Sequence, residues 1–177
     1  MPKHLMVDLE TMAVSPRSVV LSLGAVHFDP YSTGILDQIY FKIDLDDQDK
    51  LSREIDPNTL DWWAKQDPAI MEEAFDPNGR IPLVKAMDQF HKFAWGCSAF
   101  WSHGAGFDLV IIEDVYKQLG KSLPWNFWQL RDTRTLFDLG YDPKMPKESK
   151  HDALADAIRQ AIGVQNVYQQ LNKIKGN

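Results

Sequence analysis

Cysteine occurs once in the sequence, at Cys97, so no intramolecular disulfide framework braces the chain. Long apolar runs are missing as well: no segment approaches the roughly 18 consecutive apolar residues expected of a membrane span. The sequence begins directly in a strand-like segment, with no positively charged leader and apolar stretch ahead of it; a cytoplasmic protein without a membrane role is the expectation. Internal repeats are absent from it. Basic residues do not outnumber acids: 19 Lys and Arg stand against 25 Asp and Glu, giving a net charge of −6. That balance argues against a sequence-blind basic coat for nucleic acid. It leaves phosphate chemistry open, because acids that hold divalent cations carry negative charge themselves and the bound ions reverse the local field. What is present is 177 residues, 44% of them hydrophobic, which suits a single domain, 1–177, with a core large enough to need no staples.

Residues 5–9, "VVLSLGAVHF" (19–28) and "ILDQIYFKI" (35–43) have the apolar, β-rich character of strands, and "DPYSTG" between the last two is a turn cluster. An antiparallel three-strand start follows. The middle of the chain reads as helices. "DPNTLDWWAKQ" offers Asp56 and Pro57 as a helix start, "DPAIMEEAF" repeats the device with Asp67 and Pro68, and residues 82–95 space Leu83, Met87, Phe90 and Phe93 or Ala94 helically. Next, "SAFWSHG" is a short apolar strand ending in a glycine turn. "FDLVIIEDVYKQLG" then carries a helical stripe of Leu109, Ile112, Val115, Tyr116 and Leu119 closed by Gly120. "PWNFWQLRDTRTLFDLG" adds a strand and a short helix, "DPKMPKESK" is a polar loop, and "DALADAIRQAIGVQNVYQQLNKI" is a long closing helix. Strands, helices, then alternating strands and helices predict an α/β layered fold.

Acids interrupt this pattern. In "HLMVDLETM", Asp8 and Glu10 are embedded among apolar residues two positions apart, so on a strand both project to one face. Two readings are open: a strand end pointing into water, or adjacent carboxylates that need a counter-charge, which a divalent cation supplies directly. Asp108 ends "GAGFD" at the start of a helix, where it either caps that helix or joins a site. Asp156 lies in "HDALADA", a helical segment whose alanines permit close approach to a sheet; it is either a solvent-facing acid or a fourth member. His151 precedes Asp156 by five residues, some 140° away on a helix at about 100° per residue. That separation puts the histidine at the helix entrance or on the preceding loop, where a side chain with near-neutral pKa can serve as a base.

Together, "DLET" at 8–11, "GAGFD" ending at Asp108 and "HDALAD" from His151 to Asp156 resemble the three motifs of the DEDDh (DnaQ-like) 3′-to-5′ exonucleases, in the family's order and across nearly the whole chain. "TLDWWAKQ" and the short length are further similar to the phage and prophage branch of DexA-like and exonuclease VIII-type proteins. The resemblance implies an RNase H-like fold: a mixed five-stranded sheet, three antiparallel strands first and then strand-helix units, flanked by helices. It implies that Asp8, Glu10, Asp108 and Asp156 bind two Mg²⁺ or Mn²⁺ ions and that His151 is the general base. The implied enzyme hydrolyses phosphodiester bonds from single-stranded DNA or RNA 3′ ends or overhangs, with DNA favoured, releasing nucleoside 5′-monophosphates. The expected substrate contacts are Leu9, Thr11, Met12, His103, Phe107 and Trp63.

One departure touches this set. Related small exonucleases often carry a glycine-asparagine pair ahead of the glycine before the second motif, whereas "WSHGAGFD" has Ser102 and His103 there. His103 is thus a substitute contact, a second pocket histidine or a strand cap. Trp62 and Trp63 offer either a stacking face for a base or core anchors, and Lys144, Lys147 and Lys150 either phosphate contacts or a solvated loop. A homodimer is a further expectation. Three functions compete: the exonuclease (or an exoribonuclease of the same type), a catalytically silent nucleic-acid-binding or replication-associated module of the same fold, and a metal-dependent nucleotide hydrolase. The complete set of four acids and His151 favours an enzyme.

Overall fold

The computed structural model describes residues 1–147 and 151–175. Its centre is a sheet whose strands are His4–Thr11 (β1), Val20–Phe28 (β2), Asp37–Ile43 (β3), Arg80–Ile81 (β4), Ala99–Ser102 (β5) and Leu130–Asp132 (β6). Their order is β4-β3-β2-β1-β5-β6. β1, β2 and β3 pair antiparallel, as their hairpin spacing predicts, while β5 joins β1 and β6 joins β5 in parallel. The sheet has six strands rather than the five expected. The addition, β4, is a two-residue strand paired parallel to the edge of β3, too short to leave a period-two signature.

Seven α-helices and a 3-10 turn at Phe127–Gln129 complete the described chain: α1 (Leu45–Asp49), α2 (Pro57–Trp63), α3 (Pro68–Phe75), α4 (Leu83–Ala94), α5 (Asp108–Gln118), α6 (Thr133–Phe137) and α7 (Ala153–Lys175). The Asp-Pro pairs start α2 and α3 as read: Asp56 and Asp67 accept from the backbone N–H groups of Asn58 and Ala69, and a proline follows each cap. α1, a single turn capped by Asp44, has no counterpart in the sequence reading.

Alternation along β1 decides where the site lies. Leu5, Val7 and Leu9 enter one core with Phe100 and residues of α4 and α5, including Phe90, Ile112 and Val115. Met6 enters the opposite core with Val26, Phe28 and Trp101, against Ala157, Ala161 and Val164 of α7. Asp8 and Glu10 share the parity of Met6, so they belong to the α7 side. Close approach of α7 is possible because its first turns bury the small Ala153, Ala157 and Ala161 and because β2 has a glycine opposite: a Cβ on Gly24 would overlap the backbone of Ala153 and Leu154. A register shift between Glu10 and Thr11 then interrupts the ladder, which resumes with Thr11 opposite Val20 and the Met12 N–H donating to the Val19 carbonyl at 2.9 Å. Replacing a core residue such as Leu23 by alanine should cost about 2–5 kcal/mol.

Candidate active site

Three elements converge where β1 ends. β1 contributes Asp8 and Glu10, the first residue of α5 contributes Asp108, and the first turns of α7 with the residues before it contribute Asp156 and His151. Ligand atoms of Glu10, His151 and Asp156 all lie within 4.8 Å of one another. Asp108 is 3% exposed, and its Oδ1 accepts from the Leu9 N–H at 3.1 Å. This bond ties the start of α5 to β1 between the two strand acids, so the Asp108 carboxylate serves the junction with β1; the cap position of α5 is Phe107, without a side-chain cap bond.

Electrostatics show how costly the arrangement is for a protein without counter-ions. Burial, followed by the charges of Asp156 and Asp108, pushes Glu10 up to about 9. Burial also pushes Asp108 up to about 7, against the hydrogen bond from the Leu9 N–H. Asp8 keeps limited solvent contact, yet protein atoms crowd its carboxyl and raise it well above the usual carboxylate range, with Asp108 and Glu10 adding to the effect. Like charges crowded into one low-dielectric site cannot all ionise without a cation. Oxygen ligands of this number and charge suit hard divalent ions such as Mg²⁺ and Mn²⁺, so the donor set fits the metals expected from the sequence.

His151 sits two residues ahead of α7, with a left-handed φ of 49°, on the approach to the helix as the angular argument required. The next residue caps the helix, the Asp152 Oδ1 accepting from the Ala155 N–H at 2.8 Å. The imidazole lies against two indoles, its ring centroid 4.9 Å from Trp62 and 6.3 Å from Trp63. Asp156 also meets the Arg159 guanidinium, Nε to Oδ1 at 3.3 Å.

Beside the acids opens a cavity of about 470 Å³ lined by Leu9, Glu10, Thr11, Val14, Asp56, Asn58, Thr59, Trp62, Trp63 and Phe107. Its size falls in the range of small-molecule clefts, roughly 300–1,000 Å³. Four of the six expected substrate contacts, Leu9, Thr11, Phe107 and Trp63, are therefore together on its wall. Met12 is instead buried against Val19, Leu21 and Trp63, and His103 bonds through Nδ1 to the Thr133 hydroxyl at 2.7 Å. Burial lowers the His103 pKa, and Arg134 adds to that. Trp63 is only 1% exposed; its Nε1–H donates to the Thr11 carbonyl at 2.9 Å. Of the two, Trp62, 42% exposed, is the one with a free surface. Lys144 and Lys147 are exposed, and Lys150 lies outside the described residues.

Gln160 lies outside the three motifs. It is 3% exposed, and its Nε2 donates to Asp8 Oδ1 at 2.9 Å. Its spacing was the available signal: four residues beyond Asp156, it shares that acid's face of α7.

Known proteins resemble this chain in sequence and in fold. A family described as the 3′-5′ exoribonuclease Rv2179c-like domain matches residues 3–168. An exodeoxyribonuclease of enterobacteria phage T4 is 24% identical, over 73% of this chain and 68% of its own length. Among solved structures, exonuclease I of Methylocaldum szegediense superposes with a TM-score of 0.66 at 15% identity, covering 100% of this chain and 43% of its own. E. coli exonuclease I in complex with a dT13 oligonucleotide gives 0.70 at 13% identity, covering 99% and 43%. The zinc-bound form of its complex with single-stranded DNA gives 0.69 at 13%, covering 99% and 42%. At such identities the likeness is one of fold, and the chain spans less than half the length of those exonuclease I chains.

Proposed function

Because the chain belongs to the family of Rv2179c-like 3′-5′ exoribonuclease domains, we propose that it is a metal-dependent 3′-to-5′ exonuclease, read as one domain over residues 1–177. It removes nucleotides from single-stranded 3′ ends as nucleoside 5′-monophosphates. The observation that carries this reading is the meeting of Glu10, Asp156 and His151 within 4.8 Å at the edge of a cavity that shares Glu10 as a wall.

Asp8, Glu10, Asp108 and Asp156 would hold two Mg²⁺ or Mn²⁺ ions, which when bound supply Lewis-acid polarisation of the scissile phosphate and a more acidic water. The chain's own groups do the rest. His151 takes the proton of the attacking water. The cavity receives the terminal nucleoside, its apolar walls taking the base, and in doing so holds the phosphodiester against the acids. Removing side chains that place a scissile bond costs rate even where chemistry is untouched.

DNA is the favoured substrate, supported by the sequence similarity to the phage T4 exodeoxyribonuclease. RNA is the second reading, favoured by the description of the matching family. Digestion of 5′-labelled DNA and RNA, single-stranded and recessed, in Mg²⁺, Mn²⁺ or EDTA separates the possibilities. A ladder shortening from the 3′ end, abolished by EDTA, is expected. Full activity in EDTA would remove the metal mechanism, and hydrolysis of mononucleotides alone would replace the exonuclease with a nucleotide hydrolase.

A further inference from the structure

Adjacent tryptophans on a helix point about 100° apart, and at positions 62 and 63 that difference separates two jobs. Trp63 is committed to the interior: it bonds Thr11 and packs edge-on against Phe75 at 5.7 Å. Trp62 stands edge-on to Trp63 at 5.0 Å, so the buried indole fixes its base while a large part of its surface stays open. That open indole touches two things at once. It lines the cavity beside Glu10, and it meets the His151 imidazole at 4.9 Å with the rings 78° apart.

His151 needs such a wall. It lies ahead of α7 with φ of 49°, a conformation that a residue bearing a Cβ adopts at a cost and holds only where its surroundings enforce it. The ring contacts made by the imidazole are those with Trp62 and Trp63, among the described residues. Of these two indoles, only Trp62 has surface left for another planar group.

Resting on the exonuclease reading above, in which the cavity takes the terminal base, we propose that Trp62 is a positioning residue: the indole that walls the base site also sets the His151 ring, so that a base in the cavity readies the histidine for proton transfer. The substrate class narrows accordingly. A terminus whose base is present and unpaired fills the cavity, orders Trp62 and thereby orders the histidine. A terminus that lacks its base binds by phosphate and metal alone and reacts slowly, with the loss in kcat as well as in KM. Base-aromatic stacking is worth about 1–3 kcal/mol, which corresponds to roughly 5- to 150-fold in rate or affinity.

The test pairs kinetics with a readout that does not need turnover. Labelled oligonucleotides ending in a normal or an abasic 3′ residue are digested by the unmodified protein, Trp62→Ala and Trp62→Phe. Trp62→Ala should lose roughly 10- to 100-fold on the normal end and little on the abasic end, and Trp62→Phe should recover most of the loss. Equal losses on both ends, or none on the normal end, would overturn the proposal. In parallel, the His151 imidazole resonance of histidine-labelled protein, assigned with His151→Gln, is followed in metal-free buffer during titration with deoxyadenosine or 2-deoxyribose. Movement with deoxyadenosine alone, lost in Trp62→Ala and kept in Trp62→Phe, is expected. A resonance that ignores deoxyadenosine, or that moves equally in Trp62→Ala, refutes the coupling. Should the unmodified protein degrade no oligonucleotide in Mn²⁺, the exonuclease reading fails, and the titration still decides whether base and histidine communicate through Trp62.

Discussion

Gln160 holds Asp8 from across the interface between α7 and the sheet, its Nε2 donating to Asp8 Oδ1 at 2.9 Å. The amide sits one helical turn beyond Asp156, so a single helix supplies one proposed ligand and fixes the orientation of another. Its own Oε1 is buried without a hydrogen-bond partner among the described residues, which marks the bond to Asp8 as the one the side chain is kept for. Groups that orient ligands from behind typically cost 10- to 100-fold in metal affinity or activity when removed. Gln160→Leu, similar in volume but unable to donate, should weaken Mn²⁺ binding by about that factor in a calorimetric titration while the protein stays folded. Unchanged Mn²⁺ affinity would reduce Gln160 to packing.

Gly24 makes a separate prediction. It pairs with Asp8 across the sheet, and a side chain there would collide with the α7 backbone at Ala153 and Leu154. Backbone cannot rotate out of the way as a side chain does, so Gly24→Ala must push the start of α7 off the sheet and carry Asp156 and His151 with it. Overpacking of this kind costs about 1–3 kcal/mol; urea melts should show that loss, and turnover should fall further than stability does. Gly34→Ala is the control. Gly34 has φ of +82° and open space around it, so the strain of about 1–2 kcal/mol should come with no change in turnover.

The acids and the histidine differ in what they leave behind. Asp8→Ala and Asp156→Ala each remove a proposed cation ligand and should abolish turnover even at high Mn²⁺. His151→Ala removes only the proton acceptor, for which a loss of roughly 10²–10⁴-fold is the expectation, with Mn²⁺ affinity nearly kept. Initial rates on a 5′-labelled single strand, read beside Mn²⁺ titrations, separate the two classes. An untouched rate in His151→Ala would remove the assigned base.

Much of this was legible because chemistry and periodicity agreed. The parity of Asp8 and Glu10 on β1 follows from a period of two, and the Asp-Pro starts of α2 and α3 from capping. The offset of His151 from Asp156 follows from a helix of 3.6 residues per turn. What escaped lacks a local signature. β4 is two residues whose pairing is set by β3. Gln160 is an ordinary helix residue until the sheet arrives opposite it. The choice between Trp62 and Trp63 depends on which indole finds the Thr11 carbonyl, a partner 52 residues away. Met12 is expected at the site through its backbone beside "DLET"; its side chain, past the irregularity after Glu10, turns into a core cluster, which the motif alone does not signal.

Crowded carboxyls also set how the metal-free protein responds to pH. Glu10 is raised from 4.5 to about 9 and Asp108 from 3.8 to about 7, with Asp8 raised as well. For each, the folded state keeps a proton that the unfolded chain has released. Their contribution is therefore most favourable below the unfolded values and is lost as pH climbs through the folded ones. His4 works in the opposite sense. Burial lowers it from 6.5 to about 4, and its Nδ1 accepts from the Trp101 Nε1–H at 3.1 Å, so its contribution is lost as pH falls from 6.5 to 4. His27 and His103 are lowered by burial too, so the histidine and carboxyl effects oppose each other in acid, while above pH 6.5 the loss from the raised carboxyls is the larger of the two. Calorimetric melting in EDTA should therefore show Tm falling steadily between pH 6.5 and 9. Glu10→Gln, which cannot ionise, should flatten that fall, and saturating Mn²⁺ should reverse it, since cations favour the ionised acids. A metal-free Tm that stays level across this window, or that Mn²⁺ fails to raise at pH 8.5, would mean the four carboxyls do not share one site.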